Sequence, residues 1–294
     1  MIREVGPRDG FQNEPEVIPT GVKVALIDQL ARTGLRRMEI TSFVRADVIP
    51  QLADARDVLE AVDLPAGVSR SVLVPNARGL DAALEVADSF DEVSVFLSAS
   101  DSHNRANLNR AVDESLMGLE PVVARAREAG KRVEAVISVA FGCPYEGRVD
   151  PGRVLQIARR LVAFGAEEIG FGDTTGMANP VQVKRFFSGL DLGAELTAHF
   201  HNTRGQGLAN VFAAWEAGVR SFESSFGELG GCPVPAGATG NVATEDVVSM
   251  LHEMGEDTGV SLEALLACSR AVQAHLGRPL GSHTLVAGPV DWRV

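Results

Sequence analysis

The chain is poor in cysteine, short of basic charge and without a long apolar run, and each shortage narrows what it can be. Only three cysteines occur in 294 residues (Cys143, Cys232 and Cys268), widely spaced and odd in number. That pattern is no disulfide framework and fits a reducing cytoplasm. Lysine and arginine number 27 against 39 acidic residues, a formal net charge of −12. Nucleic acid and anionic membrane surfaces are therefore poor partners, and an anionic substrate would need local arginines or a metal. No apolar stretch approaches a membrane span, and Met1 runs directly into the strand-like IREV. The expectation is a protein with neither a membrane segment nor a signal peptide. No GxGxxG opens a helix, and no linker, low-complexity tract or short repeat is visible.

What is present is an alternation. Strand-like runs at 2–5, 36–40, 70–74, 92–97, 132–139, 167–171, 195–200 and 220–224 are separated by helix-period segments. The helical segments fall at 21–33, 51–62, 77–88, 112–129, 151–164, 180–189, 206–217 and 244–254. Gly34, Gly130, Gly165 and Gly218 stand where helices should stop, and Asp150-Pro151 reads as an N-cap followed by proline at the first helical position. Eight strand–helix units in series predict an α/β fold, a (β/α)8 TIM barrel using residues 1–294 as one domain, with a further helix at 261–275. A doubly wound open sheet is the alternative, weakened by the count of eight and the missing Gly-rich fingerprint.

The most informative motif ends the seventh strand. His199 and His201 lie one residue apart in ELTAHFHNTRGQGLAN (195–210), within an alternating apolar pattern. Residues i and i+2 of a strand share a face, so both imidazoles project together, about 7 Å apart at the backbone. Such a pair at a strand end points to a metal ion. Two imidazoles with a carboxylate suit Mg²⁺, Mn²⁺, Co²⁺ or Zn²⁺, and Asp9 is the best carboxylate; the absence of clustered thiolates argues against structural zinc.

Other polar residues gather just after strands, where the active sites of such barrels are built. Arg8 and Asp9 follow the first strand, Thr41 and Ser42 the second with Glu39 near its end, and Asn76 the third. Ser98 and Ser100 follow the fourth, and Asp173 and Thr174 the sixth. Each has a plain reading too: Arg8–Asp9 as a solvated turn pair, Glu39 as a paired structural carboxylate, Asp173-Thr174 as a helix cap. Cys143 and Cys268 read as inert small hydrophobes. Residues 227–241 (GELGGCPVPAGATGN) are too rich in glycine and proline for regular structure. They read as a loop overhanging the site, either an unremarkable surface turn or a lid carrying Cys232 as a reactive thiol.

The stretches EVGPRDGFQNE (4–14), EITSFV (39–44), LVPNARGL (73–80), FGCPYEG (141–147), GDTTGMANP (172–180), HFHNTRGQGLAN (199–210) and GGCPVPAGATGNVATED (230–246) span most of the chain. In that order they resemble the 3-hydroxy-3-methylglutaryl-CoA lyase family of metal-dependent carbon–carbon lyases. The resemblance implies Asp9, His199, His201 and Asn241 as ligands of Mg²⁺ or Mn²⁺. It implies Arg8 as the group that stabilises an enolate oxygen, Cys232 as a lid cysteine in proton transfer, and Glu39 and Asp173 as acidic residues of the site, with His199 in the first proton transfer. The reaction implied is retro-Claisen cleavage of a CoA thioester to acetyl-CoA and a 3-oxoacid, by a cytoplasmic homodimer. Family members carry a basic, Asn-rich loop after strand four, and SHNRANLNR (102–110) would supply Arg105 and Arg110 to the CoA phosphates.

The chain departs from the pattern inside the barrel. Glu134 and Val136 stand where the lyases usually carry Arg and Tyr, Gly170 where they carry Ser, and Asn202-Thr203-Arg204 where they carry Asp-Thr-Tyr. The substitution of Glu for Arg is expected to reverse a charge near the acyl group. A related lyase for another 3-hydroxyacyl-CoA, an aldolase or Claisen-condensing enzyme, and a non-catalytic metabolite-binding barrel are the alternatives.

Overall fold

The computed structural model describes residues 1–231 and 240–292. Eight parallel strands, β1 (Ile2–Glu4), β2 (Arg37–Ser42), β3 (Ser69–Leu73), β4 (Glu92–Ser98), β5 (Arg132–Ser138), β6 (Glu168–Asp173), β7 (Glu195–Phe200) and β8 (Ser221–Ser224), pair in chain order. The barrel closes where β8 returns to β1 through Ile2↔Phe222, Arg3↔Glu223 and Glu4↔Ser224. Around it lie α1 (Thr20–Ala31), α2 (Ala55–Ala61), α3 (Ala77–Leu84), α4 (Asp101–Leu108), α5 (Val112–Glu128), α6 (Pro151–Phe164), α7 (Pro180–Phe187), α8 (Gly207–Glu216) and α9 (Thr244–Glu253). The helix expected at 261–275 is α10 (Leu262–Leu276), followed by the short α11 (His283–Ala287). Among the described residues no helix is long and apolar enough to cross a membrane.

Strand period decides where each side chain goes. On β5, Val133, Ala135 and Ile137 are buried in the apolar core. Leu116, Leu119 and Val123 of α5 belong to the same core, and burying each such residue is worth about 1.5–3 kcal/mol. The opposite face of β5 points into the barrel and carries Glu134 and Val136. Helix α6 begins as expected: the Asp150 side chain accepts from Gly152 N at 3.0 Å with Pro151 in the first turn, and Gly165 closes it at φ 110°. Gly34, Gly130 and Gly218 also adopt positive φ.

The barrel interior is ionic where branched apolar side chains usually dominate. Strands four apart face each other across a ring of eight, and arginines span the gap. Arg37 of β2 reaches Glu168 of β6 at 2.6 Å and Glu92 of β4 at 2.5 Å. Arg3 of β1 pairs with Glu134 of β5, with Ser71 Oγ of β3 2.6 Å from Nη2. These guanidiniums lie inside the barrel with their carboxylates, because a buried charge persists only when paired and hydrogen-bonded.

Three expectations need correction. Residues 102–110 are not a loop, since Asp101–Leu108 form α4, capped by Ser100 Oγ accepting from His103 N at 3.2 Å. The helix expected over 51–62 divides into a 3₁₀ turn at Pro50–Leu52 and α2, the N-terminal part being fixed by Pro50. The Glu134 substitution does not place an unbalanced negative charge in the barrel, because Arg3 neutralises it.

Candidate metal centre and active site

Arg8 and Asp9 ride on a single π-helical turn, Gly6–Gly10, wound tightly enough that Arg8 N and Asp9 N both donate to Val5 O. The turn packs closely against the segment that follows β8: a Cβ on Gly6 would lie 2.5 Å from the Phe226 ring and 2.7 Å from Glu4 Oε1. Glycine is required there by contact. Arg8 Nε donates to Glu39 Oε2 at 2.5 Å and Nη1 to Asp9 Oδ1 at 2.8 Å, so one guanidinium holds two carboxylates. Gln12 also donates to Asp9 Oδ1 at 2.8 Å.

The two histidines emerge side by side from the end of β7, ring centroids 5.1 Å apart. One candidate ligand atom from each of Asp9, His199 and His201 falls within 4.8 Å of the others, and all three residues are buried. Asn241 joins them because Val242 N donates to Phe200 O and Asn202 N donates to Gly240 O, laying residues 240–242 along the end of β7. Its Nδ2 donates to Asp9 Oδ2 at 2.6 Å and to Leu229 O at 3.0 Å. Gly230, at φ 104°, lets the backbone pass: a Cβ there would lie 2.6 Å from Asn241 Nδ2.

The hydrogen bonding fits a cation. Among the described residues, His199 Nε2, His201 Nδ1 and Asn241 Oδ1 are buried without a hydrogen-bond partner. Orphaned buried acceptors of this kind are costly unless something electropositive satisfies them. His199 Nδ1 is committed to Glu223 Oε2 of β8 at 2.9 Å, which leaves Nε2 as its free nitrogen.

The electrostatics agree at Asp9 and His201, while His199 runs the other way. Burial raises Asp9, but Arg8 and then the two histidines outweigh it and hold the carboxyl below the usual range. Burial, with His199 beside it, pushes His201 down to about 3, so its imidazole is neutral at physiological pH, as a ligand must be. For His199 burial is opposed and outweighed by the Glu223 hydrogen bond and charge, which raise it. Burial raises Glu39 despite Arg8. The Arg8 guanidinium stays charged, since Glu39 and Asp9 overcome its burial.

Not every residue singled out from the sequence joins this cluster. Asp173 ends β6 with its oxygens accepting from Met177 N at 2.8 Å and Ala178 N at 3.0 Å, shaping the 174–178 turn; burial pushes it up to about 6. The cap of the following α7 is Asn179, not Asp173. Asn76 and Ser100 are helix caps of α3 and α4. Arg105 and Arg110 are exposed, Arg105 on α4; Arg110, with Asn76, Phe96 and Ser115, borders a cavity of about 110 Å³ at the ends of β3 and β4. Cys232 lies outside the described residues, as does most of the Gly-rich segment around it. Cys143 is buried, its Sγ 2.9 Å from Ser100 Oγ, and Cys268 is buried too.

Glu223 and Arg3 are the residues that sequence reasoning passed over. A signal was available: a charged side chain inside a strand needs compensation, the reasoning applied to Glu39, and both RSFES and IREV contain one.

Comparison with known proteins covers the same ground. The HMGL-like family model matches residues 1–272. The hydroxymethylglutaryl-CoA lyase YngG of Bacillus subtilis is 46% identical over 287 residues, spanning 97% of this chain and 95% of the relative. The hydroxymethylglutaryl-CoA lyase of Pseudomonas mevalonii is 44% identical over 280 residues, 94% of this chain and 92% of its own. The crystal structure of the Bacillus subtilis HMG-CoA lyase superposes with a TM-score of 0.93 at 46% identity, covering 97% and 96% of the two chains. An HMG-CoA lyase from Acinetobacter baumannii, in complex with coenzyme A and 3-methylmalate, gives 0.93 at 39% identity over 100% and 96%. With the family model matched over residues 1–272 and relatives 44–46% identical along nearly the whole chain, the chain belongs to the HMGL-like family, alongside the hydroxymethylglutaryl-CoA lyases.

Proposed function

We propose that the protein is a divalent-metal-dependent carbon–carbon lyase that cleaves 3-hydroxy-3-methylglutaryl-CoA, or a close analogue, to acetyl-CoA and a 3-oxoacid. The observation that carries this reading is the buried Asp9, His199 and His201 cluster with its orphaned acceptors, set beside Arg8. Asp9, His199, His201 and Asn241 would hold Mg²⁺ or Mn²⁺. When bound, the cation supplies Lewis acidity toward the substrate's tertiary hydroxyl and distal carboxylate.

The chain's own groups do the rest. Arg8 is fixed by Glu39, so its charge faces developing negative charge without reorganising, the condition under which such stabilisation is strongest. Its target is the thioester oxygen of the departing acetyl-CoA enolate. Loss of the hydroxyl proton forms the new carbonyl as C2–C3 breaks, and the enolate carbon takes up one proton. His199 is assigned to the first proton transfer and Cys232 to the last, with Asp173 and Glu39 as the carboxylates flanking the reaction. His199 Nδ1 is occupied by Glu223, so its remaining nitrogen, Nε2, can hold the cation or take the proton but not both at once, and metal ligation limits its basicity. Arg105 and Arg110, both exposed, are assigned to the CoA phosphates. A cytoplasmic homodimer completes the proposal; light scattering on purified protein tests the dimer.

A second reading keeps the reaction and changes the acyl group. Inside the barrel Val136 faces Gly170, where a Cβ would lie 3.1 Å from Val136 Cγ2. The resemblance would put Tyr and Ser at these two positions, so Val136 and Gly170 leave a smaller and less polar surface there, with Glu134 Oε1 3.4 Å from the same Cβ position, and a substrate with a different C3 substituent would fit it. The test is to run the reaction in D₂O with 3-hydroxy-3-methylglutaryl-CoA and with the free acid. Acetyl-CoA carrying one deuterium, formed only from the thioester, supports enolate protonation. Absence of acetyl-CoA from the metal-supplemented enzyme contradicts the main substrate and directs the assay to other 3-hydroxyacyl-CoA thioesters.

A further inference from the structure

We propose that Arg3, Glu134 and Glu223 are positioning residues that aim the His199 imidazole, an inference that rests on the metal site proposed above. Glu223 Oε2 accepts from His199 Nδ1 at 2.9 Å, while Glu223 Oε1 lies 3.4 Å from Arg3 Nη1. Both oxygens are engaged, on opposite sides, so the carboxylate cannot rotate away from the ring. Arg3 is itself fully buried and fixed twice, by Glu134 from β5 and by Ser71 Oγ from β3 at 2.6 Å. Ser94 Oγ of β4 adds a contact to Glu134 Oε2 at 3.3 Å. One continuous chain of contacts therefore runs from β4 and β5 through β1 and β8 to the histidine on β7.

The chemical consequence concerns which nitrogen of His199 carries the proton. A carboxylate accepting at Nδ1 holds that nitrogen as N–H and leaves Nε2 as a lone pair, and Nε2 is the atom buried without a partner among the described residues. The same hydrogen bond fixes the ring plane. Arg3 holds the carboxylate in place, and Glu134 supplies the counter-charge that lets a guanidinium sit inside the barrel. The Glu134 departure on β5 thereby acquires a role: it is the far anchor of the His199 support rather than a contact to the acyl group.

The test measures Mn²⁺ binding directly, from the free-ion EPR signal, on purified full-length protein alongside thermal unfolding. Glu223→Leu removes both acceptor oxygens at similar volume and should weaken Mn²⁺ affinity about 10- to 100-fold. Glu223→Gln keeps an oxygen able to accept from Nδ1–H and should lose less. The double variant Arg3→Met/Glu134→Met replaces the ion pair by apolar groups and should fold, yet bind Mn²⁺ more weakly than wild type. A merely structural role would lower the unfolding temperature and leave the affinity of the folded protein unchanged. If Glu223→Leu does not fold, Glu223→Gln and the double variant decide, and wild-type affinity in both overturns the proposal. Wild-type protein that itself fails to bind Mn²⁺ overturns the metal reading and this one together, whereas tight binding by wild type and variants alike overturns the relay alone.

Discussion

Arg8 Nε lies 2.5 Å from Glu39 Oε2, and that contact ties the π-helical turn after β1 to the middle of β2. Without Glu39 the guanidinium would keep, among the described residues, its contact to Asp9 and lose its fixed direction. Glu39→Ala is therefore expected to lower kcat by about 100-fold, the scale on which a preorganised oxyanion partner acts. KM should change far less, since the loss falls on the transition state. Steady-state kinetics on the folded variant check this, and a kcat within threefold of wild type would contradict it.

Metal removal should be visible in stability as well as in rate. A ligand bound only by the folded state stabilises it by about 2.7 kcal/mol at a hundred times its dissociation constant. Wild-type protein is expected to show a higher Tm with Mn²⁺ than with EDTA. Asp9→Asn and His201→Ala each remove a ligand of the buried cluster and should abolish that difference. A metal-induced rise in Tm that survives both substitutions would place the ion elsewhere.

The brace between β2 and β6 sets a separate expectation. Arg37 neutralises Glu168 and Glu92 inside the barrel. Arg37→Met strands Glu92 and leaves Glu168 with Arg132, 2.9 Å away, as its cation, and should cost about 3–5 kcal/mol in urea unfolding. Adding Glu92→Leu should recover part of that loss, because the uncompensated charge goes with it. A single variant within 1 kcal/mol of wild type would mean that water or side-chain rearrangement satisfies the carboxylates.

Glu245 gives a pH dependence with a definite sign. Burial pushes its carboxyl from 4.5 up to about 7 although Ser269 Oγ and Gly227 N donate to it, and the buried Glu4 nearby is pushed up to about 8. An acid raised in the folded state holds its proton there after the unfolded chain has released it. Its contribution to stability is therefore full below about pH 4.5, declines as pH rises and is gone above about 7. The size is about 3 kcal/mol for this group. Glu245→Gln cannot titrate, so its urea-unfolding free energy should decline less between pH 5 and 7 than that of wild type. Parallel profiles would remove Glu245 as the source.

The fold was legible because its signals are local. A period of two in ELTAHF and a period of 3.6 in the segments between strands each need only a short window, and Gly165 or Asp150-Pro151 marks an end wherever it stands. Helix α4 was missed because its polar, Asn-containing sequence lacks an apolar stripe, although Ser100 and Asp101 are a good N-terminal signal. The π-turn carrying Arg8 and Asp9 has no side-chain periodicity to read. The metal cluster was visible as residue types at strand ends, since the barrel brings all strand ends to one face. Pairings across the lumen were not: Glu134 looked like a charge facing substrate because its partner Arg3 is 131 residues away. Such distances are set by closure of the barrel, which only the folded chain displays.

The central claim is metal-dependent cleavage of a 3-hydroxyacyl-CoA at the Asp9, His199 and His201 centre. Its most direct measurement is mass-spectrometric product analysis of wild type and Asp9→Asn, each stripped and then resupplied with Mg²⁺ or Mn²⁺, on 3-hydroxy-3-methylglutaryl-CoA. Equal amounts of acetyl-CoA and acetoacetate from the resupplied wild type, and neither from the stripped protein or from Asp9→Asn, is the expected result. Cleavage that is undiminished in the stripped protein or in Asp9→Asn would contradict it.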